Sequence, residues 1–287
     1  MINYKTEIDT VALQIDCKDE IQQQFRLDLI RRCIVSSRIA SISFNSEKLR
    51  YEIYYANTRL ATIISGYSNS LNYIKIRIAG LKRYNDVIDK KSKLLLMLLC
   101  GWFNTANIHF RLVELDIAID VSCPFENVLV VCTRKAPHVS YNEIAKLQYF
   151  ENEIPTSYIE DYSDGNEKKN ATLRSYLYNK TAKEGLCFNI TRFELKLQKK
   201  YFRRFPFNTQ SILNALSRYH AMYFQNLNAK QYIISKYNSY SSVQRREINR
   251  LGLERYRLYP NVKVVKQFIH DVNSVYINFN GNIAYHH

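Results

Sequence analysis

Residues 72–79 alternate without a break: Ile74, Ile76 and Ile78 fall on one side of an extended chain, and Tyr73, Lys75 and Arg77 on the other. A period of two with one polar side buries only one face, which is the demand of an antiparallel sheet. The same rule organises two later segments. In Glu114–Val121, Leu115, Ile117, Ile119 and Val121 form an apolar side, and Glu114, Asp116 and Asp120 share the other with small Ala118 between the aspartates. In Thr191–Lys199, Phe193, Leu195 and Leu197 face a core, while Arg192, Glu194, Lys196 and Gln198 face outward.

Around these strands the pattern is mixed. Residues 19–35 predict an amphipathic helix with Phe25, Leu29 and Ile30 toward the core, and residues 85–103 a second helix. Strands are expected at 40–45, 50–56, 59–66, 109–121, 172–180 and 189–199. The stretch 139–167 carries seven acids and one lysine, with a turn at Asp164-Gly165. From about residue 208 the period becomes helical, with helices expected at 209–236, 241–257 and 261–272. The fold class is therefore α+β, a central antiparallel sheet flanked by helices with a mainly helical C-terminal part. Pro206 and the change of period set a boundary between regions 1–206 and 207–287.

The chain of 287 residues holds 41 Lys and Arg against 26 Asp and Glu, a formal charge of +15. Such an excess points to a polyanionic partner, nucleic acid before anionic membrane. Residues 174–204 hold nine bases and two acids, and residues 242–266 seven bases and two acids. Charge concentrated in this way suits a surface that follows a phosphate backbone; the plain alternative is two solvated faces. The 23 tyrosines supply rings able to stack on unpaired bases. Six cysteines lack any Cys-x-x-Cys pair and no secretory segment is read at the start, so reduced thiols and a cytoplasmic location are expected. The longest apolar run, Leu94–Cys100, is too short to span a bilayer, so no membrane partner is expected.

Three carboxylates on one strand face repel each other unless a cation or basic groups lie among them. Oxygen ligands of this kind suit Mg²⁺ or Mn²⁺, and Glu194 completes the set of Asp116 and Asp120 if its strand lies near theirs. The alternative is an acidic strand facing solvent. In residues 174–180, Arg174, Tyr176, Tyr178 and Lys180 share a face by the period-two rule. A phenol with a pKa near 10 is a weak nucleophile at neutral pH. A lysine two residues away, or a nearby metal, stabilises its phenolate. Either tyrosine fits that description, and both also fit ordinary half-buried strand positions.

The three segments, in this order, resemble the replication initiation factor family, which includes initiators of small rolling-circle plasmids and, more distantly, the gene II nicking proteins of filamentous phage. Leu115-Asp116-Ile117-Ala118-Ile119-Asp120 is similar to the family's I-D-x-A-x-D strand. Leu177-Tyr178-Asn179-Lys180 is similar to its I-Y-N-K strand, and Thr191–Lys196 with Lys200–Phe205 to its R-F-E strand and the basic, aromatic run that follows. The match covers roughly residues 109–206. It implies a nicking core of the HUH type without its His-x-His pair, with acidic metal ligands in place of histidines.

By this resemblance Tyr178 attacks a phosphodiester and leaves a 5′-phosphotyrosine link and a free 3′-hydroxyl, with Tyr176 as the second candidate and Lys180 favouring the phenolate. Asp116, Asp120 and Glu194 hold the divalent ion. Arg174, Arg192, Lys196, Lys199, Lys200, Arg203 and Arg204 meet DNA, and Arg245 and Arg246 open a helix–turn–helix with Gly252 at its turn. The implied partners are origin duplex, single strand, and a host helicase and polymerase; the oligomeric state is left open. A tyrosine recombinase is disfavoured because no histidine is followed by arginine at the third place. The rivals are a non-catalytic basic DNA-binding or regulatory protein, which leaves the acidic face unexplained, and a phosphoryl hydrolase using the same acids.

Overall fold

The computed structural model describes residues 2–68, 70–82, 84–132, 148–151, 154–161, 173–232 and 253–275. In chain order the elements are β1 (Tyr4–Cys17), α1 (Glu20–Ser37), β2 (Ser41–Asn45), β3 (Arg50–Tyr55), β4 (Thr58–Ser68), β5 (Leu71–Ala79) and α2 (Asp86–Thr105). There follow β6 (Arg111–Val121), β7 (Val128–Cys132), β8 (Gln148–Glu151), β9 (Ile154–Asp161), β10 (Leu173–Asn179), α3 (Lys180–Glu184) and β11 (Thr191–Gln198). The last are α4 (Lys199–Arg204), α5 (Thr209–Leu216), β12 (Tyr219–Tyr223), β13 (Arg257–Leu258) and α6 (Val262–Val275). The fold is α+β, built on antiparallel strand pairs flanked by helices. Among the described residues no helix is long and apolar enough to cross a membrane.

The chain forms two compact units, each drawing on residues from both sides of position 206. The first comprises Ile8–Asp116, Phe202–Asn208 and Val265–His287, and the second Met1–Glu7, Ile117–Tyr201 and Thr209–Val264.

In the first unit the strands run in the order β2-β3-β4-β5-β1, all antiparallel in the registers that bind them. Ile74, Ile76 and Ile78 are fully buried, with Ile53 and Ile63 from β3 and β4 and Leu13 and Ile15 from β1. Tyr73, Lys75 and Arg77 stay half-buried on the opposite face, as the alternation requires. Helix α1 packs on β2 and β5, and α2 on β4 and β5. Each helix starts where a side chain takes an orphan amide: Asp19 accepts from Gln22 N at 2.7 Å, and Asn85 from Ile88 N at 3.1 Å. Ile88, Ser92, Leu95, Leu99 and Phe103 make the buried stripe of α2.

Two expectations are corrected, and one strand was not foreseen. Helix α1 buries Leu27, Ile30 and Ile34, while Phe25 is 62% exposed. Residues 27, 30 and 34 recur at the helical period, and Phe25 lies well off that stripe. The 14-residue β1 was not foreseen, because residues 10–15 are buried on both faces and show no alternation to read. The helix expected over 209–236 ends at Leu216, and Tyr219–Tyr223 instead forms β12, paired with β7 and β13. The expected element at 241–257, with Arg245, Arg246 and the glycine turn, lies mostly outside the described residues, as do 139–147 and 162–167 of the acidic stretch.

In the second unit β11, β10, β9 and β8 lie side by side, all antiparallel. The register of β10 against β11 pairs Leu173 with Leu197, Ser175 with Leu195 and Leu177 with Phe193 on the apolar face. The same register puts Arg174 opposite Lys196, Tyr176 opposite Glu194 and Tyr178 opposite Arg192 on the other.

Candidate nucleic-acid cleavage site

The polar face of β10 and β11 becomes a site because of that register. Directly opposed residues on one face stand close, and diagonal neighbours remain within reach of long side chains. Tyr178 uses a diagonal: its hydroxyl donates to Glu194 Oε2 at 3.0 Å. Both side chains are almost sealed, at 5% and 7% exposure. A phenol held on a carboxylate in this way has a proton acceptor already in place.

The opposite neighbour of Tyr178, Arg192, has no exposed surface, and it meets Asp120 in a two-pronged ion pair. Its Nε lies 2.5 Å from Oδ1 and its Nη2 2.6 Å from Oδ2. Thr191 anchors the start of the same strand by donating to Cys123 O at 2.9 Å. The acidic strand is therefore no solvent-facing edge: Asp116 and Asp120 are 1% and 4% exposed.

Lys180 corrects the strand reading. Strand β10 ends at Asn179, whose side chain accepts from Ala182 N at 3.0 Å and so starts α3. Gly185 closes that single turn at φ 63°, the left-handed region that suits glycine. Lys180 is buried at the first position of the turn, and its Nζ pairs with Glu184 Oε1 at 3.1 Å. The turn brings a different lysine to Tyr178: exposed Lys183 places Nζ 4.4 Å from the centre of its ring. Residues 179–185 carry the signal for this, an N-capping asparagine and a C-capping glycine six residues apart.

Tyr176 is half-buried, with Lys196 Nζ 5.7 Å from its ring centre. Tyr201, in the basic run, is tied elsewhere: it donates to Ser211 O at 2.6 Å, and burial raises its pKa. Of the other candidate DNA contacts, Arg174, Lys199 and Lys200 are half-buried, and Arg203 and Arg204 exposed. Arg192 has no surface to offer a phosphate while it holds Asp120.

A divalent ion would need free carboxylate oxygens. Asp120 gives both of its oxygens to Arg192, and Glu194 accepts from Tyr178. Asp116 belongs to the first unit, where Arg77 Nη2 stands 3.7 Å from its Oδ2 and Arg77 Nε binds Glu114 at 2.8 Å. Among the described residues no three acidic, histidine or cysteine groups are gathered as a metal site. The second unit as arranged is thus a phenol–carboxylate pair beside a buried arginine–aspartate pair, and it does not fit an ion held by Asp120.

Neither a family model nor a curated protein matches the chain. Among solved structures, the rolling circle replication initiator protein from Geobacillus stearothermophilus aligns over 96% of this chain and 98% of its own, at 10% identity and a TM-score of 0.39. A likeness of that size does not carry function from one chain to the other.

Proposed function

We propose that this protein initiates rolling-circle replication by nicking one strand of DNA with Tyr178. The observation that carries the reading is the buried hydrogen bond from the Tyr178 hydroxyl to Glu194. It gathers, across two strands, the tyrosine and the glutamate of the two motifs that resemble those of replication initiation factors. In sequence, the basic run of 174–204 brackets the pair, and such a run attracts a phosphate chain.

In this scheme Glu194 takes the phenol proton as Tyr178 Oη bonds to phosphorus. The bond from phosphorus to the 3′-oxygen breaks, and that oxygen takes a proton from water to become the hydroxyl that a polymerase extends. The phosphate stays joined to the 5′ side of the strand and to the tyrosine, so its bond energy is kept and the strand can be resealed. Arg192 and Asp120 fix the strand that carries Glu194, and Arg192 acts here through Asp120 rather than on DNA.

The test is incubation with supercoiled plasmid, scoring nicked circles and covalent protein–DNA adducts. Wild type gives both, and Tyr178→Phe gives neither. A persisting adduct removes Tyr178 from the role. Nicked circles with no adduct favour a phosphoryl hydrolase, and binding with no nick favours a non-catalytic DNA-binding protein.

A further inference from the structure

We infer that Lys183 holds the phosphate that Tyr178 attacks, an inference that rests on Tyr178 as the nucleophile. Tyr178 is only 5% exposed, and the exposed Lys183 stands over its ring, where an arriving phosphate would meet it. Of the other cations on these strands and on the turn, Arg192, Lys180 and Lys196 already face a partner, and Arg174 stands further along β10. Arg192 is fully buried against Asp120. Lys180 is buried against Glu184. Lys196 lies over Tyr176. Arg174 sits opposite Lys196, four residues before Tyr178 on β10. Lys183 alone among these combines an exposed side chain with an ammonium 4.4 Å from the ring centre of Tyr178.

Charge chemistry makes this position useful. When the phenol attacks, charge spreads over the oxygens of the phosphate, and a cation fixed beside the nucleophile stabilises that distribution more than it stabilises the unreacted strand. Lysine suits the task as a compact point charge with three donors and no demand for a planar partner. The short turn capped by Asn179 and Gly185 holds it there. Lys183 takes no proton and forms no bond in this role. It is a positioning residue for the phosphate.

The experiment uses the full chain carrying Tyr178→Phe, so that binding is measured without cleavage. The nick is first mapped on plasmid with wild-type protein. Two single-stranded oligonucleotides spanning it are then compared, one with ordinary phosphates and one with a neutral methylphosphonate at the nick position alone. Adding Lys183→Gln is expected to weaken binding of the ordinary strand about tenfold, the scale of one charge-assisted hydrogen bond. It should leave binding of the methylphosphonate strand unchanged, and Lys183→Arg should restore most of the loss. An equal loss on both strands means a general surface charge and overturns the inference while leaving the nucleophile untouched, as does no loss on either. Absence of a nick, or an adduct that survives Tyr178→Phe, overturns the nucleophile and this inference with it.

Discussion

Removing the Asp120 carboxylate should cost this protein far more than removing an exposed one. Asp120→Ala leaves the Arg192 guanidinium, which has no exposed surface, without the anion that both of its prongs now meet. Breaking a buried pair from one side costs about 3–5 kcal/mol, because the remaining charge is still desolvated. That is a large share of the roughly 5–15 kcal/mol that holds a folded protein together. Urea unfolding followed by far-UV circular dichroism reads the effect. With a slope of about 3 kcal/mol per molar, the midpoint falls by roughly 1–1.7 M. Asp120→Ala combined with Arg192→Met removes both charges and should recover to within about 1.5 kcal/mol of wild type, since apolar replacement of a buried pair is often close to neutral. The difference between the double variant and the sum of the singles is the coupling of the pair. A single variant losing under about 1 kcal/mol, or a double variant losing the sum of the singles, would refute the reasoning.

Further expectations follow from neighbouring features. Glu194→Gln removes the proton acceptor of Tyr178, so nicking should fall about a hundredfold or more while plasmid binding by gel shift is kept. Unchanged nicking would place the proton elsewhere. In the first unit, a hydrogen bond from Tyr54 at 2.6 Å, then Arg50, holds the Glu52 carboxyl down to about 2 from its usual 4.5. A carboxyl whose folded pKa is lowered adds stability that is complete above pH 4.5 and drains away as pH falls toward 2. Acid titrations of stability should therefore slope less steeply between pH 4.5 and 2 in Glu52→Gln than in wild type, and parallel curves would sink this account. Gly185→Ala forces a side chain into φ 63° and should lower stability by about 1 kcal/mol in a thermal melt, with Gly185→Asn losing less.

What could be read from residues alone depended on whether one face or two were buried. Tyr73–Ala79 shows its period because β5 keeps Lys75 and Arg77 on a half-open side. β1 hides its period because Val11, Ala12, Leu13 and Ile15 are buried along with Thr10 and Gln14. The polar faces of β10 and β11 were legible one strand at a time. Their register was not, since it is set by long-range pairing that no local pattern encodes. For that reason Glu194 was read only as an oxygen ligand, and its contact with the Tyr178 hydroxyl could not be foreseen. Arg192 was read as a phosphate clamp for the same reason, because its burial depends on Asp120, 72 residues away. Lys180 was placed by carrying the strand period one residue too far, past the asparagine that ends it.

The join between β10 and β11 is shut at its base. Lys180 N donates to Ile190 O at 2.9 Å, Ile190 N donates to Thr181 Oγ1 at 2.7 Å, and Thr181 Oγ1 donates to Phe188 O at 2.8 Å. The residues from 182 to 187 hang beyond that clasp like the bow of a padlock. Evolution, or an engineer, can lengthen or recharge them without changing the spacing of tyrosine and glutamate behind the lock. Contact with the incoming strand, the hold of Lys183 on its phosphate included, can thus change from one relative to another while the tyrosine–glutamate pair keeps its place.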